Sequence, residues 1–194
     1  VDRGLDSDLL KRIKAIRKKF TQEVGFLPPP VHVKDNLELA PNAYRLLIKG
    51  VNVAQGMVEA GSYLAIDPGE VAMKLSGKPT VDPTFGMPAY WIDEQELERA
   101  EIAGYTVVDA ATVVATHVSH LLSNNAARLI GRVECQQLLE HFSKSYPKVI
   151  EDLIPKQISL SVFQKVLHNL LDEKVSLRDI RTIIETLLEH ASKT

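Results

Sequence analysis

The chain changes character at Asp109, and that change fixes its fold class. Before it, short β-branched and aromatic runs at 31–34, 42–53, 63–66, 89–92 and 106–108 are separated by Pro, Gly, Asn and Asp. This pattern predicts strands joined by turns, with 42–53 one long strand bent at Gly50 and 89–92 an edge strand. Two helices interrupt the strands. The first follows a cap at Asp6 or Ser7, carries Leu9, Leu10, Ile13, Ile16, Phe20 and Val24 at helical spacing, and stops at Gly25. The second is short and acidic, 94–103, closed by Gly104. Beyond Asp109 the periodicity is helical to the end. It runs over 110–122, a polar break at Ser123-Asn124-Asn125, a stretch to Phe142 bent at Gly131, a helix opened by Pro147, and a pair at 161–171 and 177–190 with Ser176 as cap. Strands first and helices after predict an α+β chain: a small β-rich unit inserted in a mixed first subdomain, then an α-helical subdomain.

Charge follows the same division. The net is +4 over 1–50, −7 over 51–109 and +1 over 110–194, which suggests modules with different surfaces. The overall charge of −2 makes no general case for nucleic acid. The single cysteine, Cys135, excludes an internal disulfide framework and fits a reducing compartment. No apolar run approaches the roughly 20 residues that span a bilayer. The sequence starts at Val1 with neither an initiator Met nor a signal peptide, so it reads as a soluble piece of something larger.

Motifs for chemistry are weak throughout. His117 and His120 lie i, i+3 on one helix, and Asp109 is a conceivable third metal ligand for a hydrolase, but the arrangement of a metalloprotease is missing and two packed helix-face histidines are the favoured reading. Cys135 has Arg132 nearby but no base placed by sequence, which favours a structural thiol. The carboxylates in Asp67-Pro68-Gly69-Glu70 and Asp82-Pro83 suit turns better than acid–base catalysis. Glycines occur singly, so nothing cradles a phosphate or a nucleotide cofactor. A helix-turn-helix-like pair over 161–190 is the basis of the alternative reading, a nucleic-acid-binding module. Its Arg178 and Arg181 are interleaved with Asp179 and Glu185, which suits protein packing better than phosphates. These features predict a protein that is not an enzyme and that works through its surfaces.

Two surfaces stand out. The stretch 80–92 holds Pro83, Pro88, Phe85, Tyr90 and the only Trp, Trp91. It is too apolar for a linker and too broken for a helix, so it is either pinned into a core or offered to a partner. The first helix carries Lys11, Arg12, Lys14, Arg17, Lys18 and Lys19 on its other face, which is either solvated or a contact for acidic protein or anionic lipid.

Several long strings resemble one family. They are 16–29 (Ile16-Arg17-Lys18-Lys19-Phe20 through Pro29), 80–86, 104–109, 112–117, 151–155 and 178–187. Together they are similar to the cytosolic part of the flagellar biosynthesis and type III secretion export-gate family, with 80–86 closer to the flagellar branch. The resemblance implies a bacterial inner-membrane protein whose transmembrane N-terminal part is missing here and whose cytoplasmic part forms a ring, nonameric in the family. It implies a first subdomain from 1–60 and 110–129, a second inserted at 61–109, a helical third over 130–194, and a fourth that this chain lacks. It implies docking of export chaperones with filament-type cargo in a cleft at Asp82, Phe85, Val108 and Thr116, with Phe85 and Val108 an apolar dimple, Asp82 its charged rim and Thr116 a hydroxyl on its wall. Components of the export ATPase complex and other export-gate proteins are further implied partners. Arg17, Lys18 and Lys19 match a basic stretch suited to a ring or partner contact. Relatives tend to carry Pro where Ser176 stands. No cofactor, metal or nucleic acid is implied.

Overall fold

The computed structural model describes residues 3–191, which separate into two compact units: 3–16 with 32–121, and 17–31 with 122–191. Helix α1 (Arg3–Val24) contributes its first part to one unit and its last part to the other. It is under way by Arg3, so Asp6 sits in its first turn and neither Asp6 nor Ser7 is the expected cap. The expected α+β class is what is observed: six strands in two small antiparallel sheets, and eight helices, among the described residues.

The first unit begins with a hairpin. Strands β1 (Ala43–Ile48) and β2 (Val51–Met57) pair antiparallel, where one long bent strand was expected. Lys49 (φ 51°) and Gly50 (φ 78°) are both left-handed, and two such residues in succession reverse a chain rather than bend it. Residues 31–34, expected as a strand, form neither strand nor helix, with His32, Val33 and Lys34 exposed; their alternation has no buried face to serve.

The larger sheet holds β3 (Tyr63–Ile66), β4 (Lys78–Val81), β5 (Pro88–Ile92) and β6 (Thr106–Asp109) in the order β4-β5-β3-β6. The segment expected as an edge strand, β5, is therefore interior. The true edge, β4, has Pro79 paired opposite Tyr90, and an edge strand tolerates a residue without an N–H. Strand β3 is covered on both faces: Leu64 and Ala65, which point opposite ways, are both fully buried. On the Ala65 side a core forms with Ile92, Tyr105, Leu75, Ala100 and Ala103, Ala100 lying within the short helix α2 (Leu97–Ile102) and Ala103 at its C-cap. Asp93 accepts from the backbone of Gln95 and Glu96 to open that acidic segment, and Gly104 (φ 95°) follows its end, as expected. Helix α3 (Ala110–Asn124) leaves β6 directly. It runs through Ser123 and Asn124, so the expected polar break falls only at Asn125.

The second unit is helical: α4 (Ala126–Leu129), α5 (Arg132–Ser143), α6 (Pro147–Leu153), α7 (Leu160–Asp172) and α8 (Ile180–Ala191). Phe163, Leu167 and Leu171 recur every fourth residue on α7 and are buried together with Leu153, Leu177 and Ile184. The expected bend at Gly131 is a full break, because Ile130 is extended and Gly131 serves as the N-cap of α5. Ser176 does not cap α8. Its hydroxyl donates to the Glu23 carbonyl at 2.7 Å, while Asp179 accepts from the Thr182 N–H (3.1 Å) and hydroxyl (2.8 Å) and does the capping. The end of α1 is locked in the same place, where Leu177 N–H donates to the Val24 carbonyl at 2.7 Å and Gly25 (φ 96°) turns the chain so that Phe26 meets Phe20 edge-on at 5.3 Å.

Cys135 is fully buried in this unit, and burial, with Glu134 beside it, pushes its thiol up to about 11. At neutral pH only about one thiol in ten thousand ionises. Reaction of native protein with a disulfide reagent at pH 7.5 is expected to be at least about a hundredfold slower than in denaturant; equal rates in the two would contradict the buried placement.

Candidate functional site

The β4–β5 hairpin presents the loop 82–87, and Asp82 organises it. The Asp82 N–H donates to the Met87 carbonyl at 2.8 Å, and the Gly86 N–H donates to the Asp82 carbonyl at 2.9 Å. The Asp82 carboxylate accepts from the Phe85 N–H at 2.6 Å. One residue therefore closes the turn at three points. Gly86, at φ 71°, completes a reversal that a β-branched residue resists.

The outcome inverts the expected roles of two residues. Asp82 was expected at a charged rim but is 4% exposed, because its carboxylate is turned inward to serve the loop's own backbone. Phe85, either cleft floor or core by sequence, is 60% exposed. Its ring stands edge-on against His120 of α3, centroids 5.3 Å apart at 73°. Thr116 is exposed four residues before His120 and so shares that face of α3. Val108 is half-buried on β6 opposite Leu64, on the far edge of the sheet from β4 and three inter-strand steps, roughly 14 Å, away along it. The structure thus groups Asp82, Phe85 and the Thr116–His120 face, and leaves Val108 apart from them on the opposite edge strand of the sheet.

Beneath the loop lies a polar cluster that sequence reasoning did not find. The Tyr44 hydroxyl and His117 Nδ1 are hydrogen-bonded at 2.7 Å, and the two rings meet edge-on at 5.8 Å. Burial raises the Tyr44 phenol far above its ordinary range, and the Asp82 charge raises it further. Burial lowers the His117 imidazole, against the pull of Asp82 and with the help of His120. Both are therefore neutral at pH 7, beside a buried carboxylate. Gly56 makes room for them: it pairs with Tyr44 across the hairpin, and a Cβ there would lie 2.5 Å from the Tyr44 hydroxyl oxygen. Only the hairpin register reveals this, and 42–53 read as one strand hides it.

The proposed metal set is not assembled. His117 Nδ1 is engaged with Tyr44, and Asp109 is the cap of α3, accepting from Thr112 N–H at 2.7 Å and from Arg12 at 3.0 Å. Burial alone would raise the Asp109 carboxyl, but the Thr112 hydrogen bonds and the Arg12 guanidinium outweigh it and hold it below the ordinary carboxylate range. Of the basic stretch, Arg17 donates to the Pro28 carbonyl at 2.8 Å, while Lys18 and Lys19 are exposed and Lys19 lies 3.8 Å from Glu23. On α8, Arg181 is bound to Glu185 at 2.7 Å and lies over the Tyr146 ring at 5.1 Å.

A chain with these two units has the fold of export-gate cytosolic domains. It superposes on the CdsV protein of Chlamydia pneumoniae with a TM-score of 0.79 at 21% identity, covering 96% of this chain and 54% of that one. It matches the nonameric EscV cytosolic domain from the type III secretion system at 0.68 and 22%, covering 97% and 56%. The FHIPEP family model matches residues 1–194, and the chain belongs to the FHIPEP family. It is 56% identical over 161 residues to the flagellar biosynthesis protein FlhA of Escherichia coli K12, covering 83% of this chain and 23% of that protein. Against FlhA of Bacillus subtilis the identity is 44% over 163 residues, covering 84% and 24%. The chain thus spans under a quarter of the length of these relatives. The resemblance read from the strings above is correct, and no described helix is long and apolar enough to cross a membrane.

Proposed function

We propose that this chain is the cytosolic docking platform of a flagellar type III export gate. It binds export chaperones loaded with filament-type cargo and helps order their export, without catalysis. The observation that carries the reading is Phe85, a large apolar side chain 60% exposed on a loop closed by a buried carboxylate. A rigid exposed aromatic beside a hydroxyl-bearing helix face suits the apolar face of a partner helix. Asp82 holds the loop, Phe85 is the anchor, Thr116 lies on the adjoining helix face, and Val108 is a more distant contact on the opposite edge strand. Membership of the FHIPEP family supports the setting. In the whole protein this part faces the cytoplasm beneath an inner-membrane portion and assembles into a ring with its own copies, and Arg17, Lys18 and Lys19 serve contacts to a neighbour or to the export ATPase complex. The three-part division at 61, 110 and 130 belongs to the same proposal.

The test is calorimetric titration with an export chaperone carrying its flagellar filament cargo. Thr116→Arg puts a long charge on the exposed face without entering a core, and is expected to weaken binding by about tenfold or more, since an unpaired charge placed in an interface costs more than 1 kcal/mol. Equal affinity for the variant and the unaltered chain, or no heat from either, would overturn the reading.

A further inference from the structure

An exposed Phe on a loop is a poor anchor if it must be ordered at the moment of docking, because each immobilised side chain costs affinity. Three residues assigned no role so far converge on this one. His120 supplies the ring against which Phe85 stands, 5.3 Å away and nearly perpendicular. His117, one turn earlier on α3, is buried and hydrogen-bonded to Tyr44 at 2.7 Å. Tyr44 comes from β1, and its ring occupies the space that Gly56 leaves open. The groups facing His117 are Tyr44 from the hairpin, Asp82 from the loop and His120 from its own helix. The Asp82 charge acts on both Tyr44 and His117. The cluster is thus continuous from the hairpin through α3 to the loop.

Resting on the docking reading above, we propose that Tyr44, His117 and His120 are positioning residues for Phe85. The Tyr44–His117 hydrogen bond fixes one turn of α3 and the carboxylate-bearing side of the loop. That turn carries His120, whose ring edge holds the Phe85 side chain in one orientation before a partner arrives. None of the three needs to touch the partner.

The test has two independent arms. In the first, nuclear magnetic resonance on the unliganded chain reads the ring-current shift that Phe85 imposes on the His120 ring protons, taken as the difference from Phe85→Ala. Tyr44→Phe removes only the hydroxyl, and is expected to reduce that shift by at least half and to speed exchange of the Phe85 amide. His117→Asn, which can offer a polar atom where Nδ1 lies, should retain the shift, and His117→Leu should lose it. Unchanged shifts in Tyr44→Phe and His117→Leu overturn the proposal, whatever binds. In the second arm, chaperone–cargo binding by Tyr44→Phe should weaken about threefold to tenfold, the usual cost of immobilising one side chain. It should weaken no further when Phe85 is already Ala, because a residue acting through Phe85 is silent without it. Additive losses would show that Tyr44 acts on the partner directly and would also overturn the proposal. A failure of docking itself appears as absence of binding by the unaltered chain, with the first arm still deciding the positioning role.

Discussion

Gly25→Ala is expected to destabilise the helical unit by about 3 kcal/mol or more, the sum of a left-handed conformation and a backbone clash. Gly25 has φ 96°, where an L side chain is strained. A Cβ there would also lie well inside contact with the Leu177 carbonyl carbon and the Arg178 nitrogen, and 2.8 Å from the Leu177 oxygen. These are backbone atoms fixed by the Leu177 N–H to Val24 bond at 2.7 Å, so neither side can yield without breaking the lock between α1 and the α7–α8 connection. The loss reaches Phe26 directly, which is 1% exposed and placed by that turn. Urea denaturation followed by circular dichroism checks it. Gly61→Ala separates the two causes, because Gly61 has a similar φ of 77° with nothing within 4 Å of the added carbon. It should cost only about 1 kcal/mol. Similar midpoints for the two variants would contradict the assignment of the larger cost to packing.

The sequence made the class of fold legible because its two periodicities are separated along the chain. Strands such as Tyr63–Ile66 and helices such as Leu160–Asp172 announce themselves by local pattern alone. What stayed hidden depends on pairing between segments. Lys49-Gly50 reads as a bend unless Ile48 is known to face Val51. Lys78–Val81 reads as loop because Pro79 hides an edge strand, and that error demotes β5 from interior to edge. Ser176 fits every local rule for a cap, yet its hydroxyl is taken by Glu23, more than 150 residues earlier in the chain. The candidate site divides in the same way. Asp82, Phe85 and Thr116 were recognised from their strings. That Asp82 faces inward and Phe85 outward follows from a hydrogen bond to the loop's own backbone, which composition does not encode. Tyr44 and Gly56 had no signal, since their significance is a cross-strand contact between an ordinary strand Tyr and an ordinary strand Gly.

Phe85→Ala is expected to weaken chaperone–cargo binding by about 2 kcal/mol or more, roughly thirtyfold, while leaving stability within about 0.5 kcal/mol of the unaltered chain. The two halves of this result come from one geometry. A ring that is 60% exposed leaves no cavity when removed, so the core does not register its loss. The loop keeps its shape because the bonds that close it run between Asp82 and the backbones of Phe85, Gly86 and Met87, none of which needs the aromatic side chain. Binding loses the whole apolar contact, because the ring is the largest exposed group on the loop. Phe85→Leu should fall between, retaining apolar area but not the edge-on contact with His120. Asp82→Ala should resemble Phe85→Ala in binding but not in stability, since it leaves loop amides without their acceptor at a buried position. An intact affinity in Phe85→Ala would move docking away from this loop. Lost stability in Phe85→Ala would mean that the ring serves the fold. The combination of intact fold, lost docking and a graded Leu variant arises only if Phe85 is held outward for a partner.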